Sequence, residues 1–119
     1  MLLTVNTAKV KEAPAKGIVY VLELQLEEHA LVKIGVTNRP KVEDRVCEIL
    51  TSIWKKYRIF PQCYVKRFSL FPDPFEIEAK LHEEFEEQRY ATLHKFSGST
   101  EVFLADLHTV TALYDSLKG

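Results

Sequence analysis

The 119-residue sequence predicts a small α/β (α+β) domain, with a mixed or antiparallel sheet of three or four strands flanked by helices. The first observation is a pair of runs rich in β-branched residues, 17–24 and 31–36, which is typical of an antiparallel hairpin. The second is the helical spacing of apolar residues in three later segments. Because strand and helix patterns alternate along the chain, we expect the helices to cover the sheet.

The hairpin carries a polar residue in the middle of each of two largely apolar strands. Alternation places Tyr20 among apolar side chains on one face of the first strand, and Lys33 among those of the second. The polar hexapeptide 25–30 is predicted to be the loop between them. Strands that are apolar on both faces are typical of a covered sheet. A buried phenol and a buried ammonium group therefore need a structural or functional explanation.

The segment from Lys41 to Tyr57 has the period of an amphipathic helix. Its apolar residues fall within an arc of about 140°, and Arg45 lies about 40° beyond the edge of that arc. One interpretation is a solvated arginine whose aliphatic stem covers apolar surface. The other is an arginine held where the helix meets the sheet and directed towards the hairpin.

A strand is predicted over 58–71, and Pro72-Asp73-Pro74 then begins a second helix that runs to about Arg89. Glu78 and His82 fall near the centre of its apolar arc and are four residues apart, so their side chains are neighbours. A carboxylate on a buried face is costly unless it is paired or binds a metal. A structural hydrogen bond between Glu78 and His82 and a functional site are both compatible with this pattern. A short last strand is expected at 101–103, followed by a third helix.

Size and composition predict one domain, 17–119, preceded by an arm or an added edge strand over 1–16. No apolar run has the length of a membrane span, and the start has no signal-peptide pattern, so a cytoplasmic location is expected. Cys47 and Cys63 have neither metal-ligand spacing nor a disulfide pattern, which predicts reduced thiols. The net charge of −1 argues mildly against a protein that binds nucleic acid by bulk charge alone.

The strings Gly-Ile-Val-Tyr-Val-Leu at 17–22 and Val-Lys-Ile-Gly at 32–35 resemble the paired signature of the GIY-YIG nuclease superfamily. They are most similar to its phage and fungal branch, which also carries Glu-x-x-x-His on the second helix. Glu101-Val102-Phe103 is similar to the closing motif of that family, with Val102 in place of its tryptophan.

The resemblance implies a metal-dependent endonuclease that cleaves phosphodiester bonds in nucleic acid, with DNA as the expected substrate. Its site would combine Tyr20 as the acceptor of a proton from water, Arg45 as a clamp on the phosphate and Glu78 as the ligand of Mg²⁺ or Mn²⁺. Lys33 would assist Tyr20, since a phenol needs neighbouring cations to act as a base. His82 would complete the set. The role of Glu101 stays open, and a domain this small could need to form a homodimer to cut both strands.

Two other classes of function remain as alternatives. One is a non-cleaving module of the same fold that binds nucleic acid or protein, such as a phage or mobile-element accessory protein. The neutral net charge supports it. The other is a structural partner domain with an inherited polar core. The combined presence of Tyr20, Lys33, Arg45 and Glu78 favours the enzyme over both.

Overall fold

The computed structural model describes residues 16–118, which form one antiparallel sheet and three helices. The strands are β1 (Gly17–Leu26), β2 (His29–Thr37), β3 (Cys63–Phe71) and β4 (Val102–Phe103), and the helices are α1 (Val42–Tyr57), α2 (Pro74–Glu84) and α3 (Leu107–Leu117). Short 3₁₀ turns lie at Glu86–Gln88 and Ser99–Glu101. The predicted fold class is confirmed, with four strands in the order β3-β1-β2-β4. The predicted arm over 1–16 lies outside the described residues, apart from Lys16.

The central hairpin is tighter than the sequence predicts. Pairing of β1 with β2 continues to Leu26 opposite His29, so the predicted loop over 25–30 shrinks to Glu27 and Glu28. Both glutamates have positive φ, 56° and 66°, which is the backbone of a two-residue hairpin turn. The prediction was wrong because such turns usually contain Asn or Gly, and two glutamates give no such signal.

Side-chain hydrogen bonds offset the unfavourable backbone of Glu27. Its carboxylate accepts from the hydroxyl of Tyr57, from that of Tyr90 at 2.8 Å and from the backbone N–H of Leu93 at 2.7 Å. These partners come from the end of α1 and from the loop that follows the first 3₁₀ turn. The tip of the hairpin is therefore bound to two other parts of the chain.

Helices cover the sheet on both faces. The Tyr20 face packs against α1 through buried Val42, Ile49 and Ile53. The Val19 face packs against α2 and α3, where the Tyr114 hydroxyl donates to the Val19 carbonyl at 2.7 Å. Both faces of β1 and β2 are buried, as expected for a covered sheet. A polar group in the buried centre of these strands, such as Lys33, thus has to find its partner inside the protein.

The third strand differs from its predicted form in two ways. It begins at Cys63 rather than at residue 58, because Pro61 cannot donate a backbone hydrogen bond to the sheet. A β-bulge then interrupts it, since Leu22 is opposite Val65 whereas Val21 is opposite Arg67. The extra residue, Lys66, reverses the alternation of faces along the rest of β3. No pattern in the sequence predicts a bulge at this position.

The second helix is shorter than predicted and ends at Glu84 rather than near Arg89. Phe85 leaves helical geometry and its ring is buried against the sheet. Arg89 is extended and forms an isolated bridge with Phe103. Pairing with the short strand β4 therefore replaces the last turn of the predicted helix.

Cys47 and Cys63, predicted to form no disulfide, are both free thiols. Burial raises the pKa of Cys63 to about 11, so this thiol is protonated at neutral pH. Among the three helices described for residues 16–118, none combines the length and the apolar character that crossing a membrane requires.

We predict that Glu27→Ala lowers the free energy of unfolding at pH 7 by about 1–3 kcal/mol, because three donors lose one acceptor. Burial raises the pKa of Glu27, but hydrogen bonds from Tyr57, Leu93 and Tyr90 outweigh it and leave that pKa below its usual value. The stabilisation is thus complete above the ordinary pKa of glutamate and is lost as pH falls through the lower folded-state value.

Urea unfolding of both proteins at several pH values measures this effect. Glu28→Ala is the matched control, because Glu28 shares the turn and the positive φ but makes no side-chain hydrogen bond among the described residues. Equal stabilities of the two variants at pH 7 would contradict the assigned role of Glu27.

Candidate active site

The candidate site lies along β2, where its partner β4 ends. Strand β4 pairs with β2 only at Val32 and Lys33, so the carbonyl of Ile34 lies beyond the last pair. His82 Nε2, on α2, takes the place of a further strand and lies 2.9 Å from that carbonyl oxygen. Glu78 is one helical turn before His82, and its carboxyl group is close enough to Lys33 of β2 to be affected by the lysine charge. Residues from both faces of the sheet can therefore meet at this edge.

Lys33 is the centre of the site. Its side chain is fully buried, and its Nζ lies 2.6 Å from Glu101 Oε1 and 3.4 Å from the hydroxyl oxygen of Tyr20. The same Nζ is 5.3 Å from the centre of the Tyr20 ring, within the range of a cation–π contact. A buried ammonium group is tolerated only with such partners. Lys33 thus joins the phenol to a carboxylate that lies 68 positions later in the chain.

Arg45 approaches the phenol from α1. Its Nε donates to the Tyr20 hydroxyl at 3.4 Å, and its Nη1 donates to Ser97 Oγ at 3.0 Å and to Glu48 Oε1 at 3.2 Å. The guanidinium group is half-buried. Of the two interpretations of Arg45 from the sequence, its contacts match the one in which it points towards the hairpin rather than into solvent.

Two glycines leave room for these charged groups. A Cβ at Gly35 would lie 2.5 Å from the Tyr20 hydroxyl and 2.9 Å from Lys33 Nζ, so no side chain fits there. Gly98 has a φ of 83°, and a Cβ on it would lie 2.5 Å from Lys33 Cε. From the sequence, Gly35 is the last residue of the string Val-Lys-Ile-Gly. The loop that contains Gly98 is merely polar, and nothing in it indicates a contact with Lys33.

A pair of carboxyl groups forms the other end of the site. Glu78 lies beside Glu101, and burial followed by the charge of Glu101 raises the pKa of Glu78 to about 7. Burial also raises the pKa of Glu101, but the charge of Lys33 and its hydrogen bond outweigh burial and leave that pKa below its usual value. Glu78 is therefore the member of the pair that takes up a proton as pH falls below about 7.

His82 does not form the hydrogen bond with Glu78 that was one of the two interpretations of this pair from the sequence. The nearest atoms, His82 Nε2 and Glu78 Oε2, are 3.8 Å apart, which is too long for one. A carbonyl oxygen only accepts, so His82 Nε2 carries a proton where it meets Ile34. Burial lowers the pKa of His82, which favours the neutral ring. His82 therefore serves here to fix α2 against β2.

The predicted site residues differ in their access to solvent. Tyr20 and Lys33 are completely buried, whereas Arg45, Glu78 and Glu101 are partly exposed. Tyr20, Lys33 and Arg45 are in direct contact, and Glu101 connects them to Glu78. Sequence reasoning left the role of Glu101 open and missed Ser97 and Gly98, because only the folded chain brings 97–101 to the hairpin.

Three residues in this site could supply ligands to one metal ion. One ligand atom each from Glu78, His82 and Glu101 lies within 4.8 Å of the others. The proton on His82 Nε2 excludes that nitrogen from ligation while it donates to Ile34. Glu78 and Glu101 each offer carboxyl oxygens, and ligands of this kind suit Mg²⁺ and Mn²⁺.

The model of the T5orf172 domain family matches residues 17–118. No curated protein and no solved structure matches the chain significantly. The assignment to the GIY-YIG superfamily from the sequence is therefore wrong, since the family that matches is a different one. The two strings that suggested it are short pieces of a buried hairpin, and their apolar composition follows from burial alone.

We predict that Gly35→Ala destabilises the protein by about 1–3 kcal/mol and displaces the Tyr20 ring, because the added methyl group has no space beside buried neighbours. Thermal unfolding and a structure of the variant measure the two effects. Gly17→Ala is the comparison, because a Cβ there meets its nearest atoms only at 3.2 Å. A Gly35→Ala protein as stable as Gly17→Ala would contradict the tight packing around the Tyr20 hydroxyl.

Proposed function

We propose that this chain, which belongs to the T5orf172 domain family, is a metal-dependent endonuclease that hydrolyses phosphodiester bonds in nucleic acid, with DNA as the expected substrate. Family membership rests on a match over residues 17–118 and makes the chain a nucleic-acid-associated domain. The family is also associated with endonuclease-like proteins. Cleavage, the metal and the roles of individual residues are the proposal.

The observation that carries the proposal is the line of charged groups that crosses an otherwise apolar interior. It runs from Arg45 and Tyr20 through Lys33 to Glu101 and Glu78. A buried ion pair seldom makes a fold more stable than apolar residues of similar size would. Cations at one end suit a phosphate, and carboxylates at the other suit a divalent cation. This combination is what phosphodiester hydrolysis requires.

The donor set fits a hard divalent ion. Glu78 and Glu101 would hold Mg²⁺ or Mn²⁺, with Glu101 keeping one oxygen on Lys33. The repulsion that raises the pKa of Glu78 to about 7 is the repulsion that a bound cation relieves. When bound, such an ion supplies an activated water and neutralises charge on the phosphate.

The remaining roles follow from the contacts of each side chain. Arg45 binds the scissile phosphate, since its guanidinium group already holds a carboxylate, that of Glu48. Tyr20 has to lose its own proton first, and as the phenolate it accepts a proton from the attacking water. The N–H donors of Arg45 and Lys33 are directed at its oxygen and stabilise that charge. The Tyr20 hydroxyl is closed to solvent, so Arg45 has to move towards the substrate before water reaches it. Lys33 positions both Tyr20 and Glu101.

The burial of Tyr20 and Lys33 favours one second candidate, a module that binds nucleic acid without cutting it. In that case the Lys33–Glu101 pair only maintains the fold, and Arg45 alone faces the ligand. Cleavage assays distinguish the endonuclease from the binding module, whereas binding assays do not, because both proteins would bind nucleic acid.

Replacing Glu78 by Gln tests catalysis directly. We predict that Glu78→Gln lowers Mg²⁺-dependent cleavage by about a hundredfold or more, because the amide lacks the charge that holds the metal. Binding of nucleic acid in EDTA should persist. The assay uses single-stranded, duplex and branched DNA and RNA, with Mg²⁺, Mn²⁺ or EDTA.

Glu76→Gln is the matched control, because Glu76 lies on the same helix and is exposed in a pair with Lys80. Wild-type rates in a folded Glu78→Gln protein would remove Glu78 from the mechanism. Absence of cleavage by the wild type on every substrate would leave the binding module as the function.

A second prediction concerns stability without metal. The pKa of Glu78 is raised from an ordinary value of 4.5 to about 7, mainly by burial, so the folded state holds a proton that the unfolded chain releases. The contribution of this proton to the free energy of unfolding is complete below pH 4.5 and is lost as pH rises to about 7. At pH 8 in EDTA, Glu78→Gln should be more stable than wild type by on the order of 1 kcal/mol, after allowance for partial solvent exposure.

Thermal unfolding of both proteins across this pH range, in EDTA, checks the prediction. The difference in stability between the two proteins should shrink towards zero as pH falls to 4.5, the ordinary pKa of glutamate. If Glu78→Gln is instead less stable than wild type at pH 8, the carboxylate is stabilised by partners, and the unrelieved repulsion assigned to it is wrong.

A further inference from the structure

A groove of about 400 Å³ lies beside the candidate active site, between the start of β1, the end of β2 and the first turns of α1 and α2. Its charged lining residues are Lys16, Arg39, Arg45 and Glu48, and Phe75 forms part of its wall. These residues carry three positive charges and one negative charge, although the whole chain has a net charge of −1. The groove is therefore a local positive site on a nearly neutral protein, and it contains one residue of the proposed mechanism, Arg45.

One carboxylate holds two guanidinium groups in this groove. Arg39 Nη2 pairs with Glu48 Oε2, and Arg45 Nη1 pairs with Glu48 Oε1 at 3.2 Å. The arginines come from different elements, the loop after β2 and the helix α1. Two guanidinium groups that meet on two oxygens of one anion form the geometry that binds a phosphate. Arg39 and Glu48 are both partly exposed, so a phosphate from solution can compete with the carboxylate.

Phe75 adds an aromatic surface to the same groove. Helical periodicity puts Phe75 on the same apolar arc of α2 as Ile77 and Leu81, but the Phe75 side chain is 68% exposed. It lies in the first turn of α2, immediately after Pro74, where the helix begins at the wall of the groove and not over the sheet. An exposed aromatic ring beside several cations is the combination on which proteins stack the bases of single-stranded nucleic acid.

We propose that this groove binds one unpaired nucleotide of the substrate, with its base against Phe75 and its phosphate between Arg39 and Arg45 in place of Glu48. The inference rests on the proposed function and specifies its substrate class. In a duplex both faces of each base are covered by neighbouring bases, so contact with Phe75 requires an unstacked base. The substrate is then nucleic acid with a single-stranded segment at the site of cleavage, such as a free strand or a branch, and not an uninterrupted duplex.

Binding in EDTA tests the groove without requiring cleavage. Fluorescence anisotropy is measured with a labelled single-stranded DNA, the same sequence as RNA, and the DNA as a blunt duplex. The single strand should bind more tightly than the duplex. Phe75→Ala should weaken binding of the single strand by about tenfold, the size expected for loss of one stacked base, and Phe75→Trp should restore it.

Phe60→Ala is the matched control for Phe75→Ala. Phe60 is 67% exposed, nearly the same as Phe75, but it stacks on Trp54 beyond the other end of α1. This substitution should leave affinity unchanged. Thermal unfolding of each variant checks that an altered affinity does not come from an altered fold.

The two charged residues give substitutions with opposite effects. Arg39→Gln should weaken binding by more than Lys56→Gln, which removes one positive charge from the exposed last turn of α1. Glu48→Gln should strengthen it several-fold, because the competing anion is gone. Glu43→Gln removes the same charge from an exposed position on α1 and should change affinity much less.

Each outcome is decisive for the groove. Wild-type affinity in Phe75→Ala, equal effects of Glu48→Gln and Glu43→Gln, or preferred binding of the duplex would each overturn the proposal. Cleavage of duplex DNA that Phe75→Ala does not alter would overturn it while the endonuclease stands. Groove-dependent binding with no cleavage in Mg²⁺ would support the groove and refute the endonuclease.

Discussion

The contact between Lys33 and Glu101 holds the candidate site together. An ammonium group inside the sheet has to be neutralised, and the only carboxylate paired with it among the described residues comes from the short turn before β4. Because Lys33 needs this ion pair, the turn at 99–101 has to lie beside it. The position of that turn places β4 next to β2. The carboxyl group of Glu101 then lies beside Glu78 and alters its protonation. The buried charge of Lys33 therefore positions β4, the turn before it and the pair of carboxyl groups.

The end of β4 has a comparable influence on the site. Because β4 pairs with only two residues of β2, the backbone of β2 beyond Lys33 is left for α2 to satisfy. The His82 ring does so at Ile34, and this contact brings the helix close enough for Glu78 to join groups from the other face of the sheet. A longer last strand would cover this edge. The site exists where the sheet stops.

Much of this arrangement could be predicted from the sequence, and the exceptions have physical causes. The faces of β1 and β2 follow from alternation, because a shift of one residue would expose the whole apolar set. Tyr20 and Lys33 stood out for the same reason. Glu101 did not, since its partner is 68 positions away and no local pattern marks a long-range ion pair. The turn at Glu27 and Glu28 was hidden because its backbone is stabilised by distant hydroxyl groups rather than by Asn or Gly. Phe75 was misplaced because helical periodicity cannot tell where a helix extends past the sheet it covers.

The bulge at Lys66 has a consequence for how this protein meets copies of itself. Within the described residues, strand β3 forms one of the two edges of the sheet, and several of its side chains are exposed and apolar, including Phe68 and Leu70. A flat, apolar edge strand can pair with a strand of another chain through its free backbone groups, and such pairing leads to aggregation. Here the inserted residue kinks the edge strand, and it places the two cations Lys66 and Arg67 in the middle of the strand. Removal of Lys66 would straighten β3 and take away one of its two central charges, so the expected result is a protein that folds but self-associates through this strand.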